Sequence, residues 1–226
     1  MFEGLQEVVT HVLRHEVLHV GPVVITSTVV TTWVVMAILL GLVFLLTRRI
    51  EERPRGAQAF LEIVVDFFYG MAEQFMGREG RRYVWLYGGL FTTILFFNYA
   101  WMIPGGIPPT SDLVTPIALA VVAVPMTWTI AIRRKGFGAW VKHFFQPTAI
   151  LAPLNVLEQF VRIFSLSVRL FGNMFGEEMV TTTLATMLPL FGPLPIMALG
   201  LIFGGVQAFV FSVLTVSYLA EMVHGH

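Results

Sequence analysis

MVTTTLATMLPLFGPLPIMALGLIFGGVQAFVFSVLTVSYLA, residues 179–220, is the stretch that decides the fold, because it contains no charged residue. A helix needs about 20 apolar residues to cross a bilayer, so this stretch is about twice too long for one span. Pro189, Gly192, Pro193 and Pro195 interrupt it by removing backbone donors and adding flexibility. We therefore predict two membrane helices joined by a short break.

Further helices of spanning length lie upstream of this stretch. The first of the two C-terminal helices should begin near Pro153. At 1.5 Å per residue it would be roughly 50 Å long, so it must tilt or run partly along the membrane surface. The five predicted spans are residues 23–46, 84–103, 113–132, 153–188 and 195–220.

The composition indicates the same class of protein. Of the 226 residues, 56% are hydrophobic and 12% are charged, whereas about 25% are charged in soluble domains. We predict an all-α membrane protein that forms a single integral domain over residues 1–226. The formal net charge is +0, which gives no basic field for nucleic acid, and the lack of cysteine excludes disulfides and thiol catalysis. No cofactor or metal is expected.

Basic residues set the predicted orientation. They follow the first span, precede the second and follow the third, so all of them fall on one side if the N-terminus is outside. The positive-inside rule then places the C-terminus in the cytoplasm. The residues concerned are Arg48, Arg49, Arg53, Arg55, Arg78, Arg81, Arg82, Arg133, Arg134, Lys135 and Lys142.

Two segments are predicted to lie on the membrane surface. Residues 56–77 mix apolar side chains with Glu62, Asp66 and Glu73 at helical spacing, which indicates a helix on the cytoplasmic surface. Residues 1–22 are amphipathic and lack the basic start of a signal peptide, so we predict an interfacial helix on the outer side.

One stripe of the long helix carries unusual residues for membrane depth. At 100° per residue, one face of residues 155–185 presents charge, a hydroxyl and two glycines. Small residues spaced by four let another helix approach closely, so this face is predicted to pack against protein and not against lipid. The stripe consists of Glu158, Arg162, Ser165, Arg169, Gly172 and Gly176.

Arg169 has no evident partner on its own helix. Glu177 is eight residues on and roughly 12 Å along the axis, and Glu178 lies about 180° round the helix. An arginine cannot be deprotonated, and at mid-membrane it costs at least about 2.5–3.5 kcal/mol. The interiors of the other spans carry no acid, so we infer that the partner is a carboxylate on a different chain.

Other polar residues at membrane depth suggest a path for protons. Glu178 should face the interior of the subunit and could take up and release protons if water reaches it. Asn173 and Gln207 add neutral hydrogen-bonding groups, and Asp112 could mark an outer entrance. A proton could thus pass from outside to Glu178 and on to the partner's carboxylate, while Arg169 blocks direct crossing.

These residues carry a family resemblance. EQFVRIFSLSVRLFGNMFGEE, together with GGVQAFVFSVLTVSYLAE, FNYAWMIPG and TSD, resembles subunit a of the rotary F-type ATP synthase over nearly the whole chain from the first span onward. The last portion is most similar to chloroplast and cyanobacterial members. Val114 departs from the family, because many relatives carry Asn two residues after the entrance aspartate.

The resemblance implies a stator subunit beside a ring of c subunits, each with a mid-membrane acid. It implies two proton half-channels that couple ion flow to rotor rotation and ATP synthesis, with no catalysis by this chain alone. Partners would be the c-ring, the subunit b peripheral stalk and the remaining ATP synthase subunits, in a bacterial inner membrane or a thylakoid-type membrane. The ion would be H⁺, with Na⁺ left open. The proton-translocating residues would be Arg169, Glu178, Asn173, Gln207, Glu177 and Asp112.

Three other functions are alternatives to this one. HEVLH, residues 15–19, fits the H-E-x-x-H zinc pattern of an intramembrane metalloprotease, although the following Gly21 and Pro22 would end its helix almost at once. A free-standing channel or transporter is disfavoured because no inverted repeat is evident. A purely structural scaffold would leave Arg169 without a role.

Overall fold

The computed structural model describes residues 16–20, 23–48, 56–103, 106–145, 149–188 and 191–224. Over these residues the chain is almost entirely helical, which confirms the all-α class. The elements in chain order are strands β1 (Glu16–Val20) and β2 (Val23–Thr26), then helices α1 (Ser27–Thr47), α2 (Ala57–Met76), α3 (Val84–Asn98), α4 (Val114–Lys135), α5 (Phe137–Phe144), α6 (Ala152–Met187) and α7 (Pro193–His224). Short 3₁₀ turns cover Gly77–Tyr83, Ala100–Met102, Pro109–Ser111 and Ala149–Leu151.

The start of the chain differs from the prediction. The interfacial helix expected over residues 1–22 is wrong for Glu16–Val20, which pairs antiparallel with Val23–Thr26. Gly21 and Pro22 separate two valine-rich runs, which is a hairpin signal that outweighs the helical spacing of the apolar residues. Residues 1–15 lie outside the described part of the chain.

Among the described residues, three helices are long and apolar enough to cross a membrane: Ser27–Thr47, Val114–Lys135 and Pro193–Val223. α3 is shorter than its predicted span, 84–103, because it ends at Asn98. Ile103, which precedes a proline, is already extended at φ −81° and ψ 126°. α6 has 36 residues, about 54 Å, and carries several charges. A total of five spans therefore stays a prediction.

Helix ends follow local backbone chemistry. Gly136 ends α4 at φ 84°, and its amide donates to the Ile132 carbonyl over 2.8 Å. Gly192 lies in the break before α7, where a Cβ would sit 2.6 Å from the Leu184 carbonyl oxygen. Only glycine fits so close to the end of α6, so the break predicted between the last two helices is a tight turn.

The core lies among α3, α4, α6 and α7. Their apolar faces meet in one cluster, whose fully buried members include Ile94, Ala120, Leu170 and Phe211. The other two long helices join this bundle through smaller clusters. α1 packs Val35 against Phe97 and Ala100, and α2 packs Phe68, Met71 and Ala72 against Tyr87 and Val216.

A buried polar network ties α3 to the outer loop and to α7. Asn98 is 1% exposed; its amide nitrogen donates to the Gly204 carbonyl over 2.9 Å, and its oxygen accepts from the Thr110 hydroxyl over 2.8 Å. The Tyr99 hydroxyl donates to the Leu201 carbonyl, which lies one turn before Gly204 on α7. The loop carrying Ser111 and Asp112 is thereby fixed to the bundle.

Replacing Asn98 with Leu should reduce the free energy of unfolding by about 1–2 kcal/mol, because it leaves the buried Thr110 hydroxyl without its acceptor. An SDS titration of the chain in mixed micelles measures this. Thr92→Val is the matched control, since the Thr92 hydroxyl bonds only the Gly88 carbonyl of its own helix. Equal stability of the two variants would contradict the role given to Asn98.

Candidate functional site

The site lies along the α6–α7 hairpin, and its central residue is Arg169. This side chain is exposed on the surface of α6, where Gly172 and Val168 are exposed beside it. Across the described residues, the ion pairs that form involve Arg81, Arg134 and Arg162, and none includes Arg169. Its guanidinium is therefore free to meet a group outside this chain.

The glycines of the Arg169 face are open. A Cβ built at Gly172 or Gly176 would meet nothing within 4 Å among the described residues. No described helix therefore packs closely on them, although such glycines suit a close helix contact. Ser165 is half-buried on the same face. Exposed side chains near these residues are mostly apolar, and Asn173 is exposed among them. The apolar ones are Val168, Leu199, Phe203 and Val206.

Arg162 does not share this exposure, although the helical spacing places it on the same stripe. Its side chain is only 6% exposed and is ion-paired over 2.7 Å with both Glu158 and Glu221. The long side chain turns from the stripe toward α7, where Glu221 supplies a charge. The sequence reasoning did not find Glu221, because its contact with Arg162 depends on how the two helices align.

Above Arg169, a pair of amides links the two helices. Asn173 donates from Nδ2 to the Gln207 Oε1 over 2.9 Å. Gln207 is 4% exposed, and its Nε2 has no partner among the described residues. Asn173 lies one turn from Arg169, so this pair brings two of the predicted site residues together beside the guanidinium.

Glu178 faces the interior, on the other side of α6 from Arg169. One carboxylate oxygen, Oε2, is buried without a hydrogen-bond partner in the described chain. Ser111, from the outer loop, lies within hydrogen-bonding reach of this carboxylate. A cavity of about 140 Å³ opens here, lined by Trp101, Pro108, Met174, Glu177, Glu178, Thr181, Thr182 and Met197.

Glu177 lines a second cavity as well. This cavity measures about 290 Å³ and is lined by Asn173, Gly176, Glu177, Val180, Ile196, Leu199, Gly200 and Phe203. A Cβ at Gly200 would overlap the Glu177 carboxylate, so the glycine makes the space that this acid occupies. Glu177 thus borders both the cavity of Glu178 and the cavity of Asn173, on the side of the exposed glycines.

Asp112 has a local structural contact. Its Oδ1 accepts a hydrogen bond from the Val114 amide over 3.2 Å, at the start of α4. A carboxylate at this position caps the helix, because the first amides of a helix lack partners within it. Asp112 lies next to Ser111 in the outer loop and is half-buried. It does not line either cavity.

The described residues do not support a zinc site. Residues 16–19 of HEVLH lie in the strand Glu16–Val20, whereas the H-E-x-x-H pattern brings its two histidines together only on a helix. His15 lies outside the described residues. No group of three or more His, Cys, Asp or Glu side chains that could hold a metal occurs in the part of the chain that is described.

Comparisons with known proteins identify the family of this chain. The family described as ATP synthase A chain matches residues 29–220. ATP synthase subunit a of Moorella thermoacetica is 51% identical over 217 residues, covering 96% of this chain and 100% of the relative. ATP synthase subunit a of Gloeobacter violaceus is 40% identical over 224 residues, covering 94% of this chain and 90% of the relative. The chain belongs to the family of ATP synthase subunit a, the integral membrane stator subunits of that complex.

Proposed function

We propose that this chain forms two proton half-channels and passes protons to and from the carboxylates of a c-ring, which couples proton flow to rotation and ATP synthesis. The observation that carries the proposal is the exposed Arg169, for which no acid of the described chain provides a counter-charge. A permanent charge at membrane depth needs an acid or water. A ring of acids that pass one after another supplies a partner that also leaves.

The outer half-channel begins at the loop over residues 106–113. A proton from outside reaches the cavity beside Ser111 and binds the Glu178 carboxylate. Glu177, which borders both cavities, then relays it toward Asn173 and the open glycine face. From there it binds a ring carboxylate, which becomes neutral and can turn into the lipid.

Arg169 separates the two half-channels. When a protonated ring carboxyl comes round to the cytoplasmic side, the guanidinium favours its ionised form, and the proton leaves toward the cytoplasm. The ionised carboxylate then moves past Arg169 to the outer half-channel. The Asn173–Gln207 pair holds hydrogen-bonding groups beside this exchange. Protons cannot hop past Arg169 because its positive charge repels them.

The same geometry supports the remaining assignments. Glu79, in the 3₁₀ turn before α3, is ion-paired with Arg134, at the end of α4, so the basic ends of both helices lie together. We therefore place this end in the cytoplasm and the N-terminus outside, in a bacterial inner membrane. The open apolar face around Gly172 and Gly176 fits the ring. Subunit b and the other ATP synthase subunits complete the complex, and nucleotide chemistry resides on those partners.

Arg169→Ala should abolish ATP-driven proton pumping, by at least about 100-fold, because it removes the charge that ionises the ring carboxyl. Pumping is measured by quenching of an acridine dye in inverted vesicles, with the amount of chain in the purified complex measured in parallel. The control is Arg82→Ala, an exposed arginine far from α6. Normal pumping with Arg169→Ala would show that the chain is only a scaffold.

Glu178→Gln should slow proton pumping about 10–100-fold, because an amide keeps the shape of the carboxyl but cannot carry the proton. The control is Glu62→Gln, which changes an exposed acid of α2 that accepts from Gln58. Unchanged pumping in Glu178→Gln would mean that the outer half-channel does not pass through this cavity. Loss in both variants would indicate a general effect of acid removal.

A further inference from the structure

The proposed function gives no role to Arg162, although it is a strongly buried charge. Its Nη2 lies 2.7 Å from the Glu158 Oε1 and 2.7 Å from both oxygens of Glu221. The guanidinium carbon lies 4.5 Å from the centre of the Tyr218 ring, at cation–π distance. Nε and Nη1 are buried without a partner among the described residues. The groups facing Arg162 are thus two acids and one aromatic ring.

This cluster joins two helices at one end of the hairpin. Glu158 belongs to α6, whereas Tyr218 and Glu221 belong to the last turns of α7. A second link, Asn173 to Gln207, lies farther along the same pair of helices. Arg169 comes seven residues after Arg162 and four before Asn173. Arg169, the proposed ring-facing arginine, therefore lies between two side-chain contacts that join α6 to α7.

We propose that Arg162 is a positioning residue for Arg169, and that its ion pair with Glu221 fixes the height and rotation of α6 against α7. The proposal rests on the function assigned to Arg169 above. Seven residues are almost two full turns, so a shift of α6 at Arg162 is passed to Arg169 along the same face. Misplacing a reacting group by about 1 Å can cost about 100-fold in rate.

The Arg162–Glu221 ion pair differs from the Arg81–Glu73 ion pair in the burial of its arginine. Arg81 and Glu73 also form a close pair, at 2.6 Å, but their side chains are 56% and 36% exposed. Water can replace such a partner, so an exposed pair contributes little. The Arg162 side chain is only 6% exposed, although those of Glu158 and Glu221 are 53% and 46% exposed. Losing the contact with Glu221 would leave a buried charge with one partner in place of two. The hairpin should then open at this end.

Thiol labelling in the assembled ATP synthase tests the opening directly. The chain has no cysteine, and Leu166, one turn from Arg162, is 1% exposed, so Leu166→Cys gives a single buried probe on this subunit. With Arg162→Gln, we expect labelling of this probe by a membrane-permeant maleimide to accelerate about tenfold or more, because local opening exposes it. ATP-driven pumping should fall about tenfold or more while the chain stays in the complex.

A charge swap separates positioning from a loss of folding. Arg162→Glu and Glu221→Arg should each impair labelling protection and pumping when made alone. The two changes together restore the ion pair, so both readouts should return to within about threefold of those measured with the native Arg162 and Glu221. Arg81→Gln is the matched control and should alter neither. Continued protection of Leu166→Cys with full pumping in Arg162→Gln would overturn the proposal, as would a swap that fails to restore either readout.

The two proposals fail in different ways. Arg169→Ala should abolish pumping but leave Leu166→Cys protected, because Arg169 makes no link to α7 in the described chain. If Arg169→Ala pumps normally, the proposed function is wrong. If Arg169→Ala is inactive while Arg162→Gln pumps normally, the proposed function stands and Arg162 does not position it.

Discussion

A guanidinium keeps its proton at any pH that a cell reaches, so an arginine at membrane depth must find an acid, water or a second molecule. α6 meets this constraint in two ways within two turns. Arg162 is buried and shares its charge with Glu158 and Glu221 of the same chain. Arg169 is exposed, and its neighbours on the exposed face are glycine, apolar side chains and the amide of Asn173. The buried ion pair of Arg162 suits a fixed contact between two helices. The exposed Arg169 suits a partner that binds and dissociates.

The α6–α7 hairpin determines where the other residues of the site lie. Its inner side brings Glu178 to the outer loop, which the buried Asn98 and Thr110 hold in place. Its outer side presents Arg169 and the open glycines. Glu177 lies between these sides, in the space that Gly200 leaves. The two acids and the arginine therefore belong to one helix but serve different surfaces of the molecule.

Sequence reasoning predicted the helices where the pattern is long and uniform. The charge-free stretches predicted α1, α4 and α7, and the amphipathic spacing predicted α2. It failed at residues 16–20, where a turn signal of two residues outweighed helical spacing, and at the end of α3, where the helix gives way to a 3₁₀ turn after Asn98. It identified Arg169 as lacking an acid on its own helix. It did not find the Arg162–Glu221 pair, because residues 59 apart meet only through the alignment of two helices.

The apolar band around Arg169 has a mechanical consequence under the proposed function. Val168 on one helix, and Phe203 and Val206 on the other, offer a sliding partner only dispersion forces, which are weak for each atom pair and have no preferred direction. Hydrogen bonds at those positions would hold a rotor at particular angles, and each angle would then cost energy to leave. An apolar contact surface with a single charge lets the rotor diffuse in small steps. The entry of protons by one half-channel and their exit by the other then give the motion its direction.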